Sequence, residues 1–295
     1  MQMQDLSKIG QVSNIQIDES RTLRFLKAGT GSPLVLLHTI RTQLDYFQEA
    51  IPLLAQHYTV YAVDLPGHGY SSIDTKANYD EPYFRSAVIA FIEKLDLREV
   101  TLVGESIGAV LALTVASALP ERIKAVVSSN TYDYDTRYAD GVRRGNFIAN
   151  FILGQFAIPV LGAVFAVMEN KPLLGLIMRG GLRMKRWMPN QLLTEFNRVG
   201  YRKGYRYVER KVFANWRSWS KARSKYAAVK APVTLIYGEH DWSTLDERKR
   251  TAKELGGVAI STVANTGHFA FVDNPHKLVE LVLSFQTHEI KTHGK

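Results

Sequence analysis

The 295-residue chain contains no cysteine. This excludes disulfides, thiolate nucleophiles and cysteine-ligated metals, leaves the fold to packing alone, and passes any covalent catalysis to Ser, Thr, Asp or Lys. The opening MQMQDLSKIGQVSN lacks an apolar stretch behind a basic start, so no secretory signal is read there and a cytoplasmic protein is expected. Internal repeats and low-complexity tracts are also missing. Acid is scarce in one place. From Lys171 to Lys225 there are 15 Lys and Arg but only Glu195 and Glu209, a net +13 in a chain whose total is +9. Positive charge therefore belongs to one segment, and the rest of the chain is mildly acidic.

What is present suits a buried core: 46% hydrophobic and 22% charged residues, enough for one large domain or a domain carrying an insertion. Strand-like SNIQIDE, TLRFLKAG, PLVLLH and TVYAVDLPG are interleaved with helical DYFQEAIPLLAQ and YFRSAVIAFIEKL, and EVTLVGE, IGAVLALTVASAL and IKAVVSSN continue the alternation. Such strands predict an α/β architecture, a mostly parallel sheet with helices on both faces. The pattern changes at Thr131. From there to about Tyr226 no buried strand is read, while Tyr205, Val208, Val212, Trp216 and Trp219 recur at helical spacing opposite a basic face. The sheet pattern resumes with APVTLIYGEHD and VAISTVAN. The reading is a core over 1–130, a helical cap over 131–226 and the rest of the core over 227–295.

Gly104-Glu105-Ser106-Ile107-Gly108 fits G-x-S-x-G directly after a strand and directly before an alanine-rich helix. Ser106 is read as a nucleophile on a tight turn, against the plainer reading of a serine capping a helix. A hydroxyl needs a base and an orienting acid. Of eight histidines, His268 follows the last strand in a short loop, and His240 is its rival because it adjoins the candidate acid. That acid is Asp241, with Glu239 as the alternative, in the chain order Ser, Asp, His. The oxyanion site is expected from the backbone amides of Ile107 and Ile40. The side chains of His38, Thr39, Arg41 and Glu105 are candidate substrate contacts, Arg41 facing either solvent or a carboxylate or phosphate on the substrate.

On these residues, together with LLH after the third strand, Asp64-Leu65-Pro66-Gly67-His68-Gly69-Tyr70-Ser71 after the fourth, GEHD and NTGHFAFVDNP, the chain resembles the α/β-hydrolase superfamily over nearly its whole length. The resemblance implies the α/β-hydrolase fold, an eight-stranded, mostly parallel sheet with a helical cap inserted after the sixth strand. It also implies catalytic roles for Ser106, Asp241 and His268, and a D-x-x-G-x-G-x-S loop that shapes the site entrance without acting chemically. Relatives commonly have glycine where Thr39 stands. Dehalogenases and epoxide hydrolases of the superfamily attack with aspartate at the elbow, so the serine argues against both.

The apolar run from Phe147 to Met168 is interrupted by Asn150, Gly154, Gln155, Pro159 and Gly162, and a membrane span there would sever the flanking strands. It is expected to line an acyl or aromatic pocket, or to form a lid that also touches lipid. The basic segment is read as solvated helix faces or as a contact for an anionic membrane, acidic carrier or acidic substrate, placing the protein in the cytoplasm or at the membrane periphery. Nucleic acid is not expected. The function expected is a serine hydrolase for a carboxylic ester or related acyl compound with an apolar portion, needing no metal or organic cofactor. Oxygenase, lyase or carbon-carbon hydrolase chemistry on the His-Asp dyad, and a non-catalytic receptor, are the alternatives.

Overall fold

A computed structural model describes residues 6–156, 170–183 and 187–292. Its strands are β1 (Gln11–Gln16), β2 (Thr22–Ala28), β3 (Pro33–Leu37), β4 (Thr59–Val63), β5 (Val100–Glu105), β6 (Ile123–Ser129), β7 (Val233–Gly238) and β8 (Ile260–Val263). They form one sheet in the order β1-β2-β4-β3-β5-β6-β7-β8. β2 is antiparallel to β1 and to β4, and every other pairing is parallel. The C-terminal ends of β3 through β8 consequently share one rim, where open α/β sheets place their sites. β5 is buried at every residue, as a continuous VTLV run demands of a central strand, whereas β1 is half exposed at the edge.

Local signals set the helices. Glu81–Lys94 starts where the Asp80 carboxylate accepts from the Tyr83 amide, with Pro82 in the first turn. Leu245–Glu254 begins with a reciprocal capping box between Thr244 and Glu247. Helix Ile107–Ala118 is small and apolar all round, and it is buried from Ile107 through Ala116 between the sheet, helix Glu81–Lys94 and the segment Ala222–Ala228. Its start abuts β3 so closely that a β-carbon on Gly108 would lie 2.1 Å from the Leu37 carbonyl oxygen. Any larger residue there would push the Ser106 turn away from the loop that follows β3.

Between β6 and β7 the described residues form helices Asp140–Gly145, Phe147–Phe156, Lys171–Arg179, Asn190–Gly200, Tyr205–Ala214 and Trp216–Lys221. The apolar run read from Phe147 to Met168 is seen as helix to Phe156, and its remainder lies outside the described residues. Tyr205, Val208, Val212 and Trp219 are buried as one seam, with Trp216 half-buried. Among the described residues no helix is long and apolar enough to cross a membrane.

This helical segment, where the cap is expected, is bonded to the core. The Arg202 guanidinium donates to the carbonyls of Gly69 and Ser71, and the Tyr207 hydroxyl donates to Ala77 O at 2.9 Å. Glu195 accepts from the Tyr70 hydroxyl at 2.7 Å and from Gln43 at 3.4 Å, and Glu209 pairs with Arg41 at 3.2 Å. Both acids of the basic segment therefore face the core.

Candidate active site

Ser106 sits at φ 60°, ψ −119°, a conformation that costs a non-glycine residue about 1–3 kcal/mol and persists only when its surroundings over-determine it. The surroundings do so. The Ser106 amide donates to Ser129 O at 3.0 Å, while its carbonyl accepts from Ala109 at 3.1 Å, Val110 at 3.2 Å and Tyr132 at 3.3 Å. The side chain makes no capping bond to the helix it precedes, which disposes of the plainer reading. Its Oγ instead lies 2.9 Å from Nε2 of His268.

The other face of that imidazole meets the acid. His268 Nδ1 is 2.5 Å from Asp241 Oδ1, and both side chains are fully buried. Asp241 Oδ2 accepts from the Ser243 amide at 3.0 Å and from the Ser243 hydroxyl, itself held by Arg248. Burial pushes the Asp241 carboxyl up, but the adjacent imidazole and the Ser243 bonds outweigh it and hold the group below its ordinary value. An ionised Asp241 accepts, so Nδ1 carries the proton and the lone pair of Nε2 faces Ser106. Trp242 stacks on the imidazole at 3.7 Å and 13°. The rivals lie elsewhere: Glu239 accepts from the Asn265 amide, and His240 is a half-exposed neighbour of Glu239.

The loop after β3 is fixed by a buried histidine. Leu65 N–H donates to His38 Nε2 at 3.0 Å, which leaves Nδ1 as the donor to Thr39 O at 2.7 Å, and the Thr42 hydroxyl donates to the same carbonyl at 2.8 Å. Burial holds His38 neutral, its pKa lowered to about 4. Because the peptide is planar and trans, pinning the Thr39 carbonyl toward His38 turns the Ile40 amide to the opposite side. The Ile107 amide, in the first turn of its helix, has no acceptor within that helix.

Asn130, at the end of β6 with φ 47°, fastens the rim. Its Nδ2 donates to His268 O at 2.8 Å, Gly267 O at 3.2 Å and Glu105 Oε1 at 3.3 Å, and its Oδ1 accepts from the Gly238 amide at 2.8 Å. Glu105 also accepts from the Ala270 amide at 2.7 Å and from the Tyr46 hydroxyl. Burial raises the Glu105 carboxyl to about 8, those donors opposing it. The strand ends carrying Ser106, His268 and Asp241 are thus joined by one carboxamide and one carboxyl.

A cavity spanning about 530 Å³ of non-atom space, part of it open to solvent, lies beside this rim. Thr39, Ile40 and Arg41 line it from the core, Val142, Leu174, Ile177, Met178, Glu209 and Phe213 from the cap, and Trp242 and Phe269 from the loops around His268. Of the four expected substrate contacts, Thr39 and Arg41 lie on this wall. His38 and Glu105 do not line this cavity, as Ser106 and His268 do not, and their polar atoms bond to the loops they hold. Arg41, read as facing solvent or a substrate anion, has its Nε on Glu209 and its Nη1 donating to Phe196 O at 3.0 Å. The Thr39 hydroxyl is buried with no hydrogen-bond partner among the described residues.

The helices between β6 and β7 also reach the loop that carries His268. Phe269 N–H donates to Gly181 O at 3.0 Å, Trp242 Nε1–H to Gly180 O at 3.0 Å, and Asp273 Oδ2 accepts from both Gly267 and Arg183 amides at 2.9 and 2.7 Å. A β-carbon at Gly181 would sit 2.6 Å from the Phe269 ring, so only glycine fits. Sequence reasoning missed Asn130, Trp242 and this glycine pair. Asn130 alone left a signal, since asparagine tolerates a left-handed backbone and stands at a strand end on the rim.

The alpha/beta hydrolase fold family model matches residues 32–275. The chain is 26% identical over 272 residues to abhydrolase domain-containing protein abhd-5.2 of Caenorhabditis elegans, a match covering 85% of this chain and 58% of that one. The chain thus spans little more than half the length of this relative. Among solved structures it is similar to the epoxide hydrolase CorEH, with a TM-score of 0.77 and 19% identity over 93% of this chain and 98% of that one. It is also similar to E-2-(acetamidomethylene)succinate hydrolase, with a TM-score of 0.72 and 18% identity over 94% and 99%. At such identities the structural likeness speaks for the fold alone.

Proposed function

The chain belongs to the alpha/beta hydrolase fold family, and from that premise we propose that it is a serine hydrolase cleaving a carboxylic ester or related acyl compound through an acyl-serine intermediate. The observation that carries the reading is the continuous line from Ser106 Oγ through His268 to Asp241, at 2.9 and 2.5 Å. Ser106 Oγ attacks the carbonyl carbon while its proton passes to Nε2, and Asp241 stabilises the imidazolium that forms. The carbonyl oxygen becomes an oxyanion received by the amides of Ile107 and Ile40. When the carbon-oxygen bond to the leaving group breaks, Nε2–H protonates the departing alcohol. Water, deprotonated by the same nitrogen, then releases the acid and restores Ser106.

The cavity supports an apolar, uncharged acyl portion. Its wall is aliphatic and aromatic, and the Arg41–Glu209 pair cancels its own charge, so a substrate carboxylate would have to compete with Glu209 for the guanidinium. An aspartate nucleophile, the group suited to opening an epoxide, is absent from the elbow, where Ser106 stands.

The test is Ser106→Ala against p-nitrophenyl esters of graded chain length, with a fluorophosphonate probe. Expected are rapid labelling of the unsubstituted chain at Ser106 and a loss of kcat on the order of 10³–10⁶ in the variant. Turnover that survives the substitution would assign the chemistry to the His-Asp dyad alone. An unsubstituted chain that binds esters but neither turns over nor labels would be a receptor.

A further inference from the structure

The outer face of the cap combines exposed aromatic rings with two arginines, Arg179 and Arg183, for which no ion pair is seen among the described residues. Phe147 and Phe151 lie one turn apart on helix Phe147–Phe156, 81% and 56% exposed. Trp187, 49% exposed, lies 4.7 Å below the Arg179 guanidinium. A groove floored by Leu176 and flanked by Arg179 and Arg183 runs beside the start of the Phe147 helix. Single exposed apolar residues are ordinary, but two phenylalanines one turn apart on one helix, with a tryptophan packed under an arginine that lines the neighbouring groove, form the kind of patch that marks an interaction surface. Glu195 and Glu209, the only acids between Lys171 and Lys225, bond to the core, and the one exposed arginine that Glu195 also pairs with is Arg198, so neither meets Arg179 or Arg183.

We infer that this face docks on an anionic bilayer surface, with Phe147, Phe151 and Trp187 entering the headgroup and acyl boundary and Arg179 and Arg183 among the lipid phosphates. Rings beside long cationic side chains form the kind of interface that binds such a surface, the stems packing on lipid while the charged heads stay hydrated. An acidic protein would match the charge but give no reason for phenylalanines this exposed. The helix Lys171–Arg179 favours lipid further. It turns Leu174, Ile177 and Met178 into the catalytic cavity and Leu176 and Arg179 to the groove, so a single helix separates the docking face from the acyl pocket.

The experiment is sedimentation of the full chain with phosphatidylcholine vesicles, with and without phosphatidylglycerol, at low and high salt. Expected are binding that requires phosphatidylglycerol and weakens with salt, about thirtyfold weaker partitioning for Arg179→Glu, and at least about tenfold weaker partitioning for Phe147→Ser/Phe151→Ser. Those variants should keep unsubstituted turnover of a soluble p-nitrophenyl ester, which shows that they fold. Ser106→Ala should bind vesicles fully, so loss of the hydrolase reading and loss of the docking surface are separate outcomes. Binding equal on neutral and anionic vesicles, or unchanged in the phenylalanine variant, would overturn the proposal. So would competition by polyglutamate that depends on Arg179 but not on the phenylalanines, which would assign the face to an acidic polypeptide. A dimer lost in the phenylalanine variant would assign it to a second copy and have the same effect.

Discussion

Replacing Asn130 with alanine removes the bonds that tie the rim together. The Gly238 amide loses its acceptor and the His268 and Gly267 carbonyls lose a donor, all in a fully buried setting. An orphaned buried amide costs about 1–3 kcal/mol, the under-bonded carbonyls somewhat less, and alanine at φ 47° about 1 kcal/mol more than asparagine. Together these amount to about 3–5 kcal/mol. In a chain of ordinary stability the variant remains folded at low temperature. Activity should suffer more than stability implies, because the bond to His268 O fixes the residue whose Nε2 must stay within reach of Ser106. A displacement of about 1 Å there costs on the order of 10² in kcat. Urea unfolding and ester turnover under folded conditions measure the two effects. Asn130→Gly separates them, since glycine accepts the backbone angle but restores none of the bonds. A kcat for the glycine variant within twofold of the unsubstituted value would mean that the carboxamide does not hold the base, and the reasoning fails.

Thr39→Val keeps the shape of the side chain and removes a buried hydroxyl that has no partner among the described residues, so stability should rise by about 1 kcal/mol. If that hydroxyl donates to the substrate, kcat/KM should fall about tenfold to a hundredfold, and denaturation beside steady-state kinetics reads both. Glu105, raised to about 8 by burial, binds a proton more readily folded than unfolded, so its contribution is present below about pH 4.5 and lost as pH rises through 8. Glu105→Gln should flatten the decline in stability across that window. For His38 the sign reverses, because its folded value of about 4 lies below the ordinary 6.5. Its contribution of about 3 kcal/mol is present above 6.5 and lost as pH falls through 4, so acid titration followed by tryptophan fluorescence should show progressive destabilisation. Glu209→Gln leaves the nearly buried Arg41 without one of its partners and should lower stability by about 2 kcal/mol while raising KM.

The parallel sheet and the elbow were legible because their signals are local. A VTLV run followed by G-x-S-x-G reports a strand, a tight turn and a helix within a dozen residues, and the order of Ser106, Asp241 and His268 follows from strand ends sharing one rim. The cap helices were legible as periodicity, but their polar contacts were not. Glu195 and Glu209 look like ordinary members of solvated helices, and only the fold shows them meeting Tyr70 and Arg41, each more than a hundred positions away in the chain. Trp242 beside the acid could as well have faced solvent. Arg41 invited an anionic substrate because its partner is specified by the tertiary approach of the cap, which no spacing encodes.

The Gly180-Gly181 carbonyls that receive Trp242 and Phe269 limit how far this protein can be rebuilt by exchanging lids. A transplanted lid would have to offer two acceptors at the same places with no side chain between them, or strand the Phe269 amide one residue past the base. Chimeras joined at the ends of β6 and β7 should therefore fail first in the alignment of the imidazole, even when the new lid folds and its pocket accepts the substrate.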